Sequence, residues 1–259
     1  NWNDMKIVVL QSGSSGNCTY VESGPVRLLF DAGISGRQAR LRLDSCSCCV
    51  NEVDALIISH DHRDHVRSMG VFHRKFGLPV HITQKTLQAT QSKDPLGKIN
   101  DIHYFQSGAC LQFGKVVVET IPTPHDSADG VAFVIDDGKS RFGIFTDLGH
   151  VFDQLASTIN TLDAVLIESN YDPDLLDQGP YPLFLKQRIR GPHGHISNVE
   201  SAELLQQTSH GKLRWACLAH LSAINNSPER ALATHSDILG NRFPLTVASR
   251  NQVSGLLEV

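Results

Sequence analysis

Residues 53–66, VDALIISHDHRDHV, run an apolar segment directly into three histidines and two aspartates within six positions. The apolar part is short, continuous and rich in β-branched and aliphatic residues. It predicts a strand at 53–59 buried on both faces, as in a sheet covered by helices. The polar part must then lie at that strand's exit, where open sheets commonly carry their sites. His60 and His62 are one residue apart, so in extended chain both rings can point to the same side. Asp64 and His65 follow as the backbone turns into a helix, marked by Val66, Met69, Phe72 and Phe76 at spacings of three and four. Uncoordinated, such a cluster concentrates polar groups at a strand exit with no gain in stability. Four donors from one loop, facing two directions, suit two cations better than one.

The remaining chain reads as short strands separated by loops and occasional helices. KIVVL (6–10), CTYVES (18–23) and VRLLFDAG (26–33) come first, followed by a helix at 35–43 opened by a serine cap. LPVHIT, VVVETIPT, VAFVIDD, RFGIFTD, DAVLIES, RWACLAH and PLTVAS predict further strands, with helices near 150–159, 181–190, 197–209 and 227–240. The pattern is α/β with two sheets' worth of strands. At 259 residues the chain can bury roughly three quarters of its unfolded surface, and 1–259 is read as a single domain in which residues 1–4, before Met5, carry no structural weight. A formal charge of -4 excludes an overall basic field that would hold nucleic acid by charge alone. No run of eighteen apolar residues and no secretory signal is present, so the expectation is a cytoplasmic chain with no membrane partner. The six cysteines lack the spacing of a disulfide scaffold, and Cys46, Cys48 and Cys49 have no second pair at zinc-finger distance. They read as a loop with incidental thiols.

A catalytic zinc takes about three protein donors and keeps a position for water, so the HDHRDH loop needs help from elsewhere. His125 in TPHDS, Asp147 in FTDLG and His220 in LAHLS each follow an apolar run. Each would emerge at the edge of a sheet. Taken singly, such a residue is more often a turn or cap residue than a ligand.

His60, His62, Asp64, His65, His125, Asp147 and His220 together resemble, in order and spacing, the motifs of the metallo-β-lactamase fold, over nearly the whole chain. That resemblance implies a four-layer αββα sandwich with a two-metal site along one edge. It implies that His60, His62 and His125 hold one ion, that Asp64, His65 and His220 hold the other, and that Asp147 bridges both. SGSSGN (12–17), DAG (31–33), TDLGH (146–150), ESN (168–170), GPYP (179–182), GHISN (194–198) and AHLS (219–222) further resemble the YycJ, or WalJ, subfamily, whose members are described as 5′ to 3′ DNA exonucleases. Tyr171 departs from that pattern, where the family often carries histidine, and the cysteine-bearing segment at 44–50 is peculiar to this chain.

The chemistry fits an anionic substrate. Two divalent ions, two aspartates and a bridging hydroxide leave a balance of roughly +1, and such a pair can stabilise both attacking and leaving oxygens at phosphorus. That charge balance suits phosphodiester hydrolysis, and the resemblance implies the rest of the expected activity, a two-metal DNA exonuclease whose hydroxide is oriented by Asp64, with His195 neutralising a phosphate oxygen or protonating the leaving oxygen. Ser14, Ser15, Asn17 and Asn198 are the expected substrate contacts, and Asp31 is expected to support the ligand loop by hydrogen bonds. Lys186, Arg188 and Arg190, with Arg63, Arg67, Arg74 and Lys75, could form local tracks for a strand or simply a solvated face. Aromatic residues are only 7% of the chain, so no extensive stacking platform is expected. The donors suit zinc, and manganese or iron are also compatible. Two alternatives stay open at this point: a small-molecule hydrolase acting on a thioester or cyclic phosphodiester, and a metal-binding regulatory protein without turnover.

Overall fold

The computed structural model describes residues 4–208 and 212–259; residues 1–3 and residue 209, the expected end of one helix, lie outside that range. Strands β1 (Lys6–Gln11), β2 (Cys18–Ser23), β3 (Val26–Phe30), β4 (Ala55–Ile57), β5 (Val80–Thr83) and β6 (Ile102–Phe105) form one sheet. The second contains β7 (Cys110–Phe113), β8 (Val116–Pro122), β9 (Val131–Asp136), β10 (Arg141–Phe145), β11 (Ala164–Glu168), β12 (Trp215–Ala219) and β13 (Leu245–Val247), in that spatial order. A short β14 (Leu257–Glu258) pairs antiparallel with β1 and completes the first sheet. Within each sheet, the strands β3 to β6 and β10 to β13 run parallel.

Why these strands read as continuous apolar runs is visible in their alternation. Ile7, Val9, Leu28, Phe30, Ala55 and Ile57 face the second sheet and meet Phe133, Ile135, Phe142, Ile144 and Leu166 in a central core. The rings of Phe30 and Phe133 stand 5.0 Å apart across it. Val8, Leu10, Leu29, Leu56 and Ile58 point the other way and pack on helices α1 (Gly36–Ser45) and α3 (Met69–Phe76), with the single turn α2 (Arg63–Val66) between β4 and α3. Val134, Phe145, Val165 and Ile167 bury the outer face of the second sheet against α5 (Asp153–Ile159), α8 (Asn198–Thr208) and α9 (Pro228–Leu239). Three apolar layers between four structural layers give the expected αββα sandwich. Helices α4 (Gln84–Lys93), α6 (Pro173–Gln178) and α7 (Leu183–Arg190) complete the described set.

Several boundaries differ from expectation, for local reasons. The strand expected at 26–33 stops at Phe30, because Asp31 takes a left-handed φ of 64°. The expected 53–59 strand keeps regular pairing only at 55–57, and the one helix expected after the ligand loop is split at Arg67 and Ser68, where Ser68 N–H donates to Ala32 O at 3.0 Å. Strands β6 and β7 were not expected: they are sheet edges with partly exposed residues, so neither alternation nor a buried run marks them. Helix α4 is mostly polar and is announced only by Thr83, whose hydroxyl accepts from Thr86 N–H. No helix among the described residues is long and apolar enough to cross a membrane.

The α8–α9 layer contains a pH-sensitive contact. His235 is fully buried, donates through Nδ1–H to Ala231 O at 2.8 Å, and its Nε2 accepts from Ser201 Oγ at 3.2 Å. Burial holds its pKa down at about 4. The unfolded chain, with an ordinary histidine pKa near 6.5, therefore binds the proton first, and acid favours unfolding. Stability should fall as pH drops from about 6.5 towards 4, with this residue contributing up to about 3 kcal/mol. Urea titrations at several pH values should give a shallower dependence for His235→Gln than for the parent chain; equal slopes would refute the assignment.

Candidate metal centre

Four non-glycine residues among those described have positive φ, and three of them are Asp31 (64°), Asp147 (57°) and His220 (53°). Each lies one or two residues beyond the end of β3, β10 or β12. Left-handed backbone costs roughly 1–3 kcal/mol and concentrates at functional sites, with Asp and His among the residues that tolerate it. Here it turns the chain sharply at three strand exits and brings Asp147 and His220 to the HDHRDH loop.

Four overlapping sets of donors share a centre: His60, His62 and His125; Asp64, His65 and His220; His60, His65 and Asp147; and Asp147, Glu168, His195 and His220. Within each set one ligand atom per residue lies within 4.8 Å of the rest, and the first two sets are the donor groups that the resemblance implies. His62 Nδ1 and His125 Nε2 are 3.2 Å apart. Asp64 Oδ2 is 3.5 Å from His65 Nε2 and 3.4 Å from His220 Nε2. Asp147 reaches both groups: Oδ1 lies 3.6 Å from His125 Nε2 and 3.6 Å from His220 Nε2, and Oδ2 lies 3.2 Å from His65 Nε2.

Hydrogen bonds behind the rings fix which nitrogen faces inward. His125 Nδ1–H donates to Gly194 O at 2.8 Å and His62 Nε2–H to Asp126 O at 3.1 Å, leaving His125 Nε2 and His62 Nδ1 for the centre. His65 Nδ1–H donates to Asp31 Oδ2 at 2.7 Å, and the same carboxylate accepts from Ser59 N–H and Oγ–H. Asp31 thus braces the loop from behind, as metal-site carboxylates commonly do. His60 Nε2 and Asp147 Oδ2 are buried without a hydrogen-bond partner among the described residues. A buried imidazole nitrogen with no partner, beside a buried carboxylate oxygen that meets only His65 Nε2 at 3.2 Å, is costly unless a cation is shared between them. The residues present fit a metal.

Electrostatics agree. Burial would raise the carboxyl pKa of Asp147, but neighbouring His220 and His65 outweigh it and hold the group well below the usual range. Asp64 is treated likewise, burial being outweighed first by His65. His60 is pushed well below 6.5 by burial and then by His65, so it is a neutral donor. Burial opposes protonation of His220 too, yet Asp147 and Asp64 raise it to about 10. Buried anions here require positive charge, which protons on His65 and His220 supply in the bare chain and divalent cations would supply in their place.

One residue of the centre was missed in the sequence. Glu168, fully buried at the end of β11, accepts from His195 Nδ1–H at 2.6 Å and from Leu148 N–H at 3.1 Å. Burial would raise its pKa, but His195 outweighs that and brings it down to about 2. Its signal was available, a glutamate closing the apolar run DAVLIE, but a single polar residue at a strand end is ambiguous. His195 stands with its ring 5.0 Å from that of His125 and 5.3 Å from that of His220, and lines the cleft.

The cleft over the donors has a volume of about 170 Å³, and Ser14, Asp64, Asp126, Arg188 and His195 contribute to its lining. The four expected substrate contacts divide here. Ser14 reaches the cleft, whereas Ser15 accepts from Gln11 Nε2–H at 3.1 Å away from the lining. Asn17 is buried, its Nδ2 being 2.9 Å from His65 Nε2 and 3.2 Å from Asp64 Oδ2, so it orients the donors. Asn198 is fully buried in a network with Ser169 and Asn226, because its amide satisfies polar groups under α8; it does not line the cleft. Tyr171, the departure noted above, is buried and bridges Ser197. Of the expected basic residues, Arg188 lines the cleft and pairs with Asp126 at 2.6 Å. Arg74 is occupied by the carbonyl of Leu96, and Arg190 and Lys186 are anchored to Asp177.

Gly33 ties this architecture together. A Cβ built there would lie 1.6 Å from Asp64 O and 2.5 Å from Asn17 N, the two atoms that hydrogen bond to each other at 2.8 Å. Gly33→Ala must therefore displace the ligand loop. It should cost about 1–3 kcal/mol and lower metal content, measured by thermal unfolding and elemental analysis; an unchanged melting point and metal content would contradict this packing.

Fold and site together define an enzyme of the metal-dependent hydrolase class. A β-lactamase superfamily domain model matches residues 26–221. The chain is 36% identical over 231 residues to exodeoxyribonuclease WalJ of Streptococcus pneumoniae serotype 2, strain D39, covering 88% of this chain and 86% of that protein. It is 33% identical over 233 residues to exodeoxyribonuclease YycJ of Bacillus anthracis, covering 89% and 88%. The chain belongs to this WalJ/YycJ family of the metallo-β-lactamase superfamily. Among solved structures, the metallo-β-lactamase fold protein YhfI from Bacillus subtilis superposes with a TM-score of 0.75 at 17% identity, covering 99% of this chain and all of that one, a likeness of fold.

Proposed function

We propose that this chain is a two-metal phosphodiesterase that degrades DNA as an exonuclease, in the 5′ to 3′ direction. The observation that carries the reading is Asp147, whose two oxygens reach both donor groups. The choice of DNA is supported by the WalJ and YycJ relatives, named exodeoxyribonucleases, which match over most of the chain. In this reading His60, His62 and His125 would hold one divalent ion, Asp64, His65 and His220 would hold the other, and Asp147 would serve both. Ions held there, zinc by donor type with manganese or iron also compatible, supply Lewis acidity to a phosphate oxygen and lower the pKa of bound water to about 7.

The chain's own groups do the rest. Asp64 is part-exposed to the cleft while Asn17 donates to its Oδ2, so its carboxylate is placed to orient an attacking water and accept its proton. Glu168, anionic and able only to accept, forces the proton of His195 onto Nδ1 and leaves Nε2 as that ring's free nitrogen. Protonated at Nε2 as well, His195 neutralises a phosphate oxygen or hands a proton to the leaving oxygen. Arg188, 62% exposed and at the cleft, meets the next phosphate. Purified protein supplied separately with zinc and manganese should convert 5′-end-labelled single- or double-stranded DNA to mononucleotides or short products. Cleavage of small cyclic phosphodiesters or thioesters with none of DNA would move the assignment to a small-molecule hydrolase.

A further inference from the structure

Helix α7 is the one element of eight or more residues in the described fold that buries none of its side chains, although it forms one wall of the cleft. Leu185, Arg188 and Ile189 face the cavity, while Phe184 is 72% exposed. Phe184 and Arg188 are four apart, so they are neighbours on the helix surface. An exposed phenyl ring therefore flanks the cleft, one turn from the guanidinium inside it. Leu183, 70% exposed, is turned a further 100° away around the helix.

We propose that Phe184 is the stacking platform for an unpaired nucleobase of the DNA strand whose phosphate enters the cleft. This deepens the reading above and rests on it. The ring has a π-face open to solvent, and every base can stack on one without sequence preference. The 170 Å³ cleft accommodates a phosphate group but leaves the attached nucleoside outside it, on the rim where Phe184 stands. The helix carries Lys186, Arg188 and Arg190 and no acidic residue, which suits a polyanion. Lys186 and Arg190 pin it to the α6 side through Asp177, so the ring is presented on a fixed support. A second copy of this chain fits less well. An aromatic side chain buries about 150–250 Å², so Phe184 and Leu183 fall well short of the roughly 800 Å² per partner of a stable dimer.

The test is a single-stranded oligonucleotide with 2-aminopurine at its 5′ end and phosphorothioate linkages to suppress cleavage, bound to the full-length, zinc-loaded protein. The parent chain should quench the fluorophore. Phe184→Ala should abolish the quenching and weaken binding at least about fivefold, the low end of what losing one stacked base costs; Phe184→Trp should restore both. Equal quenching and affinity in the parent and Phe184→Ala would overturn the proposal. So would no quenching by the parent, or sedimentation showing a parent dimer that Phe184→Ala dissolves. Parallel digestion of unmodified end-labelled DNA separates the two readings: a parent chain that cleaves DNA without quenching refutes the platform alone, and one that quenches without cleaving refutes the exonuclease alone.

Discussion

Asp147→Asn should lower hydrolysis of DNA by at least about tenfold and reduce the metal retained per chain. Asparagine is nearly isosteric and tolerates the left-handed conformation that position 147 requires, so the fold should survive and the effect should be electrostatic. The substitution replaces one of two oxygens that span the donor groups with an amide nitrogen, which does not coordinate, and removes the negative charge from a fully desolvated position. Asp147 contacts His125 of one group and both His65 and His220 of the other. A variant with parental metal content and activity on every phosphodiester tested would show that the shared carboxylate has no role.

His195→Ala should reduce turnover by about 10²–10⁴ while leaving metal content intact. His195 contacts Glu168 and stands beside the rings of His125 and His220, but it is not needed to complete either donor group. The loss should shrink markedly on an activated p-nitrophenyl ester, whose leaving group needs no proton; a merely structural histidine would depress both substrates alike. Glu168→Gln should act through His195, as a positioning change. The amide oxygen can still accept from Nδ1–H, so kcat should fall with metal content unchanged, whereas a residue that only held the fold would lower stability instead. Loss of metal from His195→Ala would mean that it has been given the wrong role.

Much of this was legible in the chain because metal sites on open sheets leave a distinctive trace: apolar runs that end in His or Asp. The HDHRDH loop carried the strongest signal, and the left-handed turns at Asp147 and His220 explain why distant strand ends meet it. Strands apolar on both faces pointed to a sheet covered by helices, and the four-layer sandwich came from the resemblance of the donor motifs to the metallo-β-lactamase fold. What escaped were features with no periodic signature. Glu168 is one polar residue at a strand end, and its meaning comes from His195, 27 positions away. Asn17 and Asn198 sat in motifs resembling substrate loops, but the amide of each is consumed by buried partners that only the tertiary fold supplies. Strands β6 and β7 lie at sheet edges, where partial exposure erases the hydrophobic pattern.

Native mass spectrometry of the folded chain reconstituted with zinc addresses the central assignment most directly. Two donor groups sharing Asp147 should appear as a dominant species carrying two ions, stable to dialysis. A chain that folds and retains no ion, or never more than one, would contradict the assignment of these seven side chains to a pair of metals.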